Sequence, residues 1–388
     1  MAKNIVFCAD GTWNGPGEGD DEGKEVAGAT NVLKTFANLA GKRALSTLKL
    51  SDEEESAFVD PASGAVLQVA KYIHGVGDSD NFLVKILGGT VGAGLVTRIV
   101  RGYTFISRNY EAGDRIFIIG FSRGAYTARA LGGLICSQGL IDARQIDLTS
   151  DKDVAYRWGS AVWYKSRKGS LAGSPTLLGR LENLVLDFPK FLLRAPEPGQ
   201  MIEAPIAAIG VWDTVGSLGI PQYDLKTGEH VDALRFTDTK LSDKVAMGFH
   251  AISLDEQRGA FTPTLWDVRA GVEQCLFPGA HADVGGGYPE GAESGLSDAG
   301  LAWMTAKLAG AGVLYSGNPL HTPKPDAAGT AHAPWEDVPW KALPKSRRSF
   351  PAALIEGGLD PSVALRMRAG DVLGHPKGKP GPYKPGHL

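Results

Sequence analysis

Short apolar runs alternate with segments of helical spacing along most of this chain. Apolar runs rich in β-branched residues are typical of buried parallel strands, whereas apolar positions three and four residues apart are typical of amphipathic helices. A regular alternation of the two favours an α/β fold with a doubly wound, mostly parallel sheet. The predicted strands cover residues 4–8, 68–74, 116–119, 206–212 and 272–278, and the predicted helices cover residues 30–39, 96–110, 125–135 and 296–308.

Two segments lack this alternation. Residues 41–63 are polar and acidic, and we predict a solvated surface segment there. From residue 314 onward the chain is rich in Pro, Gly and Lys and has little periodicity, so we predict an irregular C-terminal segment that ends in a loosely held tail at residues 377–388.

The pattern also changes between residues 142 and 205, where Trp- and Leu-rich helical stretches appear. An insertion at this point indicates a helical cap that covers a site, and ordinary surface helices are the alternative. The helical stretches lie at 154–166, 176–185 and 188–193. We therefore divide the chain into a first core part (1–145), a helical cap insertion (146–205), a second core part (206–313) and the C-terminal segment (314–388).

The sequence Gly120-Phe-Ser122-Arg-Gly124 joins a predicted strand to a predicted helix. In a chain with 51 glycines, a bare Gly-x-Ser-x-Gly arises by chance roughly 0.4 times, so the letters alone decide nothing. A strand, this turn and a helix together are the nucleophile elbow of α/β-hydrolases, in which the serine hydroxyl is exposed at the tip. Ser122 is therefore the candidate nucleophile of an α/β-hydrolase-like fold.

Polar residues follow the predicted strand ends, which meet at one edge of a parallel sheet. A serine nucleophile needs a neighbouring base, and the base needs a carboxylate to orient it. Ser122, Asp213 and His281 follow the α/β-hydrolase order of nucleophile, acid and base. Asp283, two residues after His281, is the rival for the acid. His250 is predicted to support the site and not to act as the base.

Acyl transfer also requires donors for the developing oxyanion. The amide of Arg123, next after the serine, is one predicted donor. The second is expected from the exit loop of the first strand, at Gly11 or Thr12, and Asp10 is expected to hold that loop in place.

Composition narrows the remaining possibilities. The chain has 388 residues, 40 basic and 43 acidic, and its net charge of −3 gives no electrostatic footprint for nucleic acid. The three cysteines lack metal-site spacing, and no cofactor is predicted. Met1 is followed almost directly by a strand and no apolar run reaches membrane-spanning length, so we expect a soluble, cytoplasmic protein without a signal peptide.

Taken as a set, several segments resemble the uncharacterised α/β-hydrolase domain family that includes the first class of type VI secretion lipase effectors. The resemblance covers roughly residues 3 to 310 and implies a serine hydrolase fold and, for the effector branch, phospholipase activity on membrane lipids. It also implies a secretion-apparatus or immunity protein as partner, peripheral membrane contact, and export by a type VI secretion system. The matching segments are residues 7–14, 75–77, 120–125, 210–216, 250–256 with Arg258, and 278–288.

These observations favour a serine carboxylester hydrolase, of lipase or phospholipase type, that acts through Ser122, His281 and Asp213. Many relatives have His-x-Ser-Val where this chain has Asp360-Pro-Ser-Val, so a non-catalytic binding module on a hydrolase scaffold is the alternative. A metal-dependent phosphohydrolase is disfavoured because Cys8 stands where its aspartate nucleophile would be needed.

Overall fold

The computed structural model describes residues 2–11, 28–44, 53–75, 92–171, 195–215, 240–338, 340–342 and 344–386. In these ranges the strands are β1 (Asn4–Ala9), β2 (Lys42–Ala44), β3 (Glu53–Val59), β4 (Val66–Ile73), β5 (Arg115–Phe121), β6 (Leu140–Ile141), β7 (Met201–Ile202), β8 (Ile206–Trp212), β9 (Val245–Ser253), β10 (Val272–Phe277), β11 (Asp371–Val372) and β12 (Gly381–Pro382).

Within the described residues, a central sheet holds eight strands in the order β10-β9-β8-β5-β1-β4-β3-β2. The strands from β10 to β4 run parallel, and β3 and β2 are antiparallel at the edge. The mixed α/β fold with a largely parallel sheet is therefore confirmed. The predicted strands are confirmed as β1, β4, β5, β8 and β10, whereas β9 was not predicted as a strand.

The helices in the described ranges cover both faces of this sheet. They are α1 (Asn31–Asn38), α2 (Gly92–Asn109), α3 (Arg123–Gln138), α4 (Lys152–Leu171), α5 (His281–Gly285), α6 (Gly295–Gly310), α7 (Ala352–Gly357) and α8 (Pro361–Arg368). Short 3-10 turns lie at Pro198–Gln200, Gly259–Phe261, Pro334–Glu336 and Trp340–Ala342. None of the described helices is both long and apolar enough to cross a membrane.

Alternate residues of β1 enter two different cores, as the two-residue period of a strand requires. Ile5 and Phe7 pack with residues of α2, α3 and α4, while Val6 and Cys8 pack with residues of α1 and α6. β1 is fully buried because both faces of the sheet are covered by helices. The catalytic candidates therefore stand at the end of a sheet that is packed against helices on both faces.

The acidic segment at 41–63 was predicted to be solvated, and this prediction is wrong for the strand β3, whereas Gly41, Lys42 and residues 61–63 are exposed as predicted. β2 and β3 extend the sheet, and Glu53 is only 1% exposed. Lys71 on β4 lies 2.5 Å from Glu53 and 3.3 Å from Glu55. Glu53 also pairs with Arg101 and Glu55 with Arg108, so these acidic side chains are neutralised by basic residues of other elements, which the local sequence does not reveal.

The predicted cap insertion is described only in part. The helical stretch predicted at 154–166 is confirmed within the longer helix α4, which packs on α2 through Gly159 against Val100 and Thr104. The stretches predicted at 176–185 and 188–193 lie outside the described residues.

The C-terminal segment is more ordered than its composition suggests. It contains α7, α8 and the β11–β12 pair, and its regular elements are joined by long irregular stretches. The tail was predicted to be loosely held, yet Tyr383 Oη donates a hydrogen bond to Asp255 Oδ2 at 2.8 Å. Side chains from this segment also enter the candidate site.

Candidate active site

Ser122 stands between β5 and α3 in a strained backbone conformation, with φ 58° and ψ −120°. A positive φ is uncommon outside glycine and marks positions where the surrounding structure imposes the conformation. A Cβ on Gly120 would overlap the Gly124 carbonyl, and a Cβ on Gly124 would overlap the Ala9 carbonyl. The glycines therefore allow the close approach of strand, helix and β1 that a sharp turn at Ser122 requires.

Ser122 and Asp213 directly follow neighbouring strands whose last residues, Phe121 and Trp212, are partners in register. The Ser122 N–H donates to the Trp212 carbonyl at 3.1 Å, which joins the two strand ends. Asp213 also has a positive φ, 37°. The sheet therefore brings Ser122 and Asp213, which are far apart in sequence, to the same edge.

His281 begins helix α5 after β10, and its side chain faces Asp213. Nδ1 of His281 lies 2.5 Å from Oδ2 of Asp213. The imidazole packs between Phe121, with ring centroids 4.6 Å apart, and Phe261, at 4.9 Å. Because Nδ1 is engaged by the carboxylate, Nε2 is the ring nitrogen that can take up a proton.

Arg348, in the C-terminal segment, forms a two-pronged ion pair with Asp213. Its Nη1 donates to Oδ1 at 2.7 Å and its Nη2 to Oδ2 at 2.8 Å, and the same groups also bond the carbonyls of Ser253 and Phe261. Such bidentate pairs fix geometry as well as charge. The sequence analysis missed this residue because it lies in a stretch without periodicity, 135 positions from its partner.

These contacts determine the charge state of the pair. Burial raises the pKa of Asp213, but the charge of Arg348 and the hydrogen bonds from His281 and Arg348 outweigh it, so that the pKa lies well below its usual range. Burial lowers the pKa of His281, and Asp213 opposes this effect without cancelling it. An ionised Asp213 beside a neutral His281 is therefore the expected state at neutral pH.

The backbone of His281 is held by a second ion pair. Its N–H donates to Glu256 Oε2 at 3.2 Å, and Arg258 donates to both carboxylate oxygens of Glu256, at 2.9 and 2.8 Å. Burial raises the pKa of Glu256, but the charge and hydrogen bonds of Arg258 lower it by more than burial raises it. The pKa of Glu256 is therefore below its usual value. The charged residues near His250 in sequence thus support the histidine loop.

Asp283, the rival acid, does not face His281. Its Oδ1 lies 2.6 Å from Nδ1 of His332, and its Oδ2 accepts the backbone N–H groups of Ala280 and His332 at 2.8 and 2.9 Å. His332 lies in the C-terminal segment, and nothing in the sequence indicates that it pairs with Asp283. Asp283 therefore ties the α5 loop to that segment, while Asp213 is the carboxylate paired with His281.

His250 is fully buried on β9, behind Asp213. Its Nε2 accepts the backbone N–H of Thr214 at 3.1 Å, and its ring lies edge-on to Trp266 at 5.5 Å. Burial, helped by the charge of Arg129, lowers the pKa of His250 to about 3. A neutral histidine at this position supports the backbone next to Asp213 and cannot exchange protons with a substrate.

The exit loop of β1 is held by Asp10. Its carboxylate accepts hydrogen bonds from Thr30 Oγ1 at 2.6 Å, Tyr72 Oη at 2.5 Å and the Gly11 N–H at 2.6 Å. Burial raises the pKa of Asp10 to about 6. The predicted oxyanion role of the Gly11 amide does not match this bond, because the N–H already points at Asp10. Thr12 lies outside the described residues.

Gly11 instead leaves space beside the serine, since a Cβ there would lie 3.2 Å from Ser122 Cβ. The amide of Arg123 lies in the first turn of α3, directly after Ser122. Across the described ranges, no cluster of three or more His, Cys, Asp or Glu side chains has the arrangement of a metal site.

A yeast protein shares part of this sequence. It is the uncharacterized protein YEL023C of Saccharomyces cerevisiae, 27% identical over 267 residues, which are 67% of this chain and 32% of that protein. The chain thus spans about a third of the length of that relative.

Two solved structures are similar at low identity. One is the Tle1 effector bound to the VgrG spike of the type 6 secretion system, with 16% identity, a TM-score of 0.40, and coverage of 74% of this chain and 52% of that one. The other is an uncharacterized protein from Pseudomonas aeruginosa, with 18% identity, a TM-score of 0.43, and coverage of 95% and 50%. This chain spans about half of each structure.

The family match covers most of the chain. Residues 3–307 match the family described as "T6SS, Phospholipase effector Tle1-like, catalytic domain", a range that includes Ser122, Asp213 and His281. The sequence resemblance to type VI secretion phospholipase effectors is thereby confirmed. This protein belongs to the Tle1-like phospholipase effector catalytic domain family.

Proposed function

We propose that this chain is a serine carboxylester hydrolase with an α/β-hydrolase arrangement, and that phospholipids are its first substrate class. The observation that supports this most strongly is the strained Ser122 elbow at the sheet edge where Asp213 and His281 are paired at 2.5 Å. The family description names a phospholipase catalytic domain, which agrees with ester hydrolysis.

In the proposed mechanism, Ser122 Oγ attacks the ester carbonyl carbon while its proton passes to His281 Nε2. The carbonyl π bond becomes an oxyanion, which then collapses and breaks the bond to the leaving alcohol. The alcohol oxygen takes the proton from Nε2, and an acyl-enzyme remains. Water then repeats the sequence, releasing the fatty acid and restoring Ser122. Asp213 keeps the imidazole oriented and stabilises its transient positive charge.

The N-terminal end of α3 would stabilise the oxyanion. The Arg123 amide is the proposed first donor, because it directly follows the nucleophile, and the positive end of the helix dipole adds to it. We propose Thr12 as the second donor, with Asp10 holding its loop and Gly11 leaving room beside Ser122.

The proposed partners are drawn from family membership, and the proposed domain roles from the sequence pattern. We propose that residues 146–205 form a cap over the site and that 1–145 and 206–313 form the hydrolase core, with the C-terminal segment supplying Arg348. A secretion-apparatus component or an immunity protein is the proposed protein partner, with peripheral contact to lipid and residence in the cytoplasm before export.

The alternative, a non-catalytic scaffold, depends on Asp360. Its carboxylate accepts the Ser362 N–H at 2.9 Å and caps helix α8. This position therefore has a structural role here, and the pairing of Asp213 with His281 does not involve it. We retain the hydrolase as the favoured function.

Labelling with a fluorophosphonate, followed by mass-spectrometric mapping, tests the proposal. We expect covalent label on Ser122, no label in Ser122→Ala, and strongly reduced label in His281→Gln. Ser137→Ala, which changes an exposed serine of the same helix, serves as the matched control and should label normally. Failure of the folded wild-type protein to label would refute the nucleophile and favour the scaffold. A panel of acyl esters and phospholipids then identifies the substrate.

A further inference from the structure

A cavity of about 330 Å³ lies between the C-terminal segment and the loops that follow β9 and β10. Its described lining includes Asp255, Gly279 and His332 but none of Ser122, Asp213 or His281. Its volume is at the lower end of the range for small-molecule pockets. This cavity is therefore separate from the candidate active site and can hold a small ligand.

The lining is strongly basic. Its described residues include four permanent cations against one carboxylate, that of Asp255. Charges of one sign that line a cavity attract ligands of the opposite sign. The cationic residues are Arg347, Arg366, Lys379 and Lys384.

Arg366 is the buried member of this group, with 0% exposure. Its guanidinium donates to the carbonyls of Ala327, Gly329 and Leu373, and its Nε–H makes no hydrogen bond to any described residue. No described carboxylate forms an ion pair with it. Asp255, Asp283 and Asp326 act on its charge only from beyond ion-pair distance. A buried guanidinium without a direct carboxylate contact is costly, so an anion bound beside it is favoured.

The carboxylate of Asp255 is already engaged. Its Oδ2 accepts the Gly279 N–H at 2.7 Å and the Tyr383 hydroxyl at 2.8 Å, and the Arg366 guanidinium lies over the Tyr383 ring at 5.2 Å. Burial raises the pKa of Asp255 to about 6, against the hydrogen bonds that lower it. One such carboxylate does not balance four cations.

We propose that this cavity binds a phosphate group, either of a soluble phosphate compound or of a lipid headgroup. Arginine is well suited to phosphate because its fork of donors matches two oxygens at once. The site is independent of the proposed hydrolysis. Through Gly279 and His332 it adjoins the loop that carries His281, so an occupied cavity stabilises that loop.

Isothermal titration calorimetry with inorganic phosphate at constant ionic strength tests the site. The Ser122→Ala background removes any contribution from hydrolysis, so that a negative result here leaves the hydrolase proposal untouched. We expect binding that weakens about tenfold for each charge removed in Arg347→Gln and Lys384→Gln. Arg366→Lys, which keeps the charge and loses the fork, should also weaken binding, with folding checked by circular dichroism.

Lys377→Gln with Arg368→Gln is the matched control, since both side chains are exposed basic residues of the same segment outside the cavity lining. The control should bind like the parent protein. Equal phosphate binding in the control and in the Arg347→Gln, Lys384→Gln variant would overturn the proposal, as would no measurable binding to the parent.

Two further titrations distinguish the source of the phosphate. Glycerol 3-phosphate that binds more tightly than inorganic phosphate indicates a soluble phosphoester. Binding to phosphatidic acid vesicles, absent with phosphatidylcholine vesicles and lost in the double variant but not in the control, indicates a lipid headgroup. Vesicle binding that is equal in the double variant and the control would argue against this cavity as the lipid site.

Discussion

The pairing of Arg348 with Asp213 leads to a prediction about both stability and proton transfer. Arg348→Met keeps an unbranched, flexible side chain, although a shorter one, and removes its charge. It leaves a fully buried Asp213 carboxylate with His281 and the Ser253 N–H as its remaining described partners. Removing one partner of a buried ion pair costs about 3–5 kcal/mol. Total stabilities are only about 5–15 kcal/mol, so the loss is substantial but measurable.

The same change alters the protonation of the Asp213–His281 pair. Two opposite charges about 4 Å apart interact by about 4 kcal/mol at an effective dielectric of 20, and about 1.4 kcal/mol corresponds to one pKa unit. Without Arg348 the pKa of Asp213 rises and the His281 imidazolium becomes easier to form. We therefore expect the acidic limb of the activity profile to move to higher pH by at least about one unit.

The sign of the stability effect follows from the lowered pKa of Asp213. A carboxylate with a depressed pKa contributes stability above its unfolded value of about 3.9, and this contribution is lost as the pH falls through the folded value. In wild type, this loss occurs only in strong acid, because Arg348 outweighs burial. In Arg348→Met, the loss begins at higher pH.

The assay is the rate of fluorophosphonate inactivation between pH 5 and 9, together with urea denaturation at each pH. Arg368→Met, an exposed arginine of the same segment, is the control and should change neither quantity. Arg348→Lys, which keeps the charge but loses the fork, should recover the pH profile while losing about 2 kcal/mol of stability from the weakened hydrogen bonds. A profile unchanged in Arg348→Met, with the rate reduced only by the unfolded fraction, would refute the reasoning.

Two further predictions concern the supports of the site. Gly124→Ala should abolish labelling and destabilise the fold, because a Cβ there overlaps the Ala9 carbonyl. As the control, a Cβ at Gly133 in the same helix meets no atom within 4 Å, so Gly133→Ala should stabilise the folded protein by up to about 1 kcal/mol. Equal thermal stability of the two variants would contradict this packing. Burial lowers the pKa of His332, but its carboxylate partners raise it by more, so the pKa in the folded protein lies above its usual value. The stability that His332 contributes is therefore present below pH 6.5 and is lost as the pH rises through the folded pKa. His332→Gln should therefore destabilise by about 1–2 kcal/mol more at pH 5.5 than at pH 9 in urea denaturation. The same loss at both pH values would rule out the titration of His332.

Local sequence signals were sufficient for the parts of the fold that depend on neighbouring residues. The predicted strands and most helices were confirmed because hydrophobic periodicity is set by which face each residue must bury. The Gly-x-Ser-x-Gly turn was recognisable because Gly120 and Gly124 are needed where the backbones nearly touch. The order of Ser122, Asp213 and His281 along the chain then identified them as the candidate catalytic residues.

Contacts between distant segments left no such signal. Glu53 and its neighbours appeared solvated because the lysine that neutralises Glu53 lies on another strand. Arg348 and His332 come from a segment without periodicity, yet they hold Asp213 and the loop of His281.

The sequence by itself therefore determined the α/β class, the elbow and the identity of the candidate catalytic residues. Only the tertiary structure decided that Asp213, and not Asp283, pairs with His281, and that the Gly11 amide is engaged by Asp10. The physical reason is that hydrophobic patterns are read one element at a time, whereas an ion pair or hydrogen bond depends on which elements the fold brings within about 3 Å of each other.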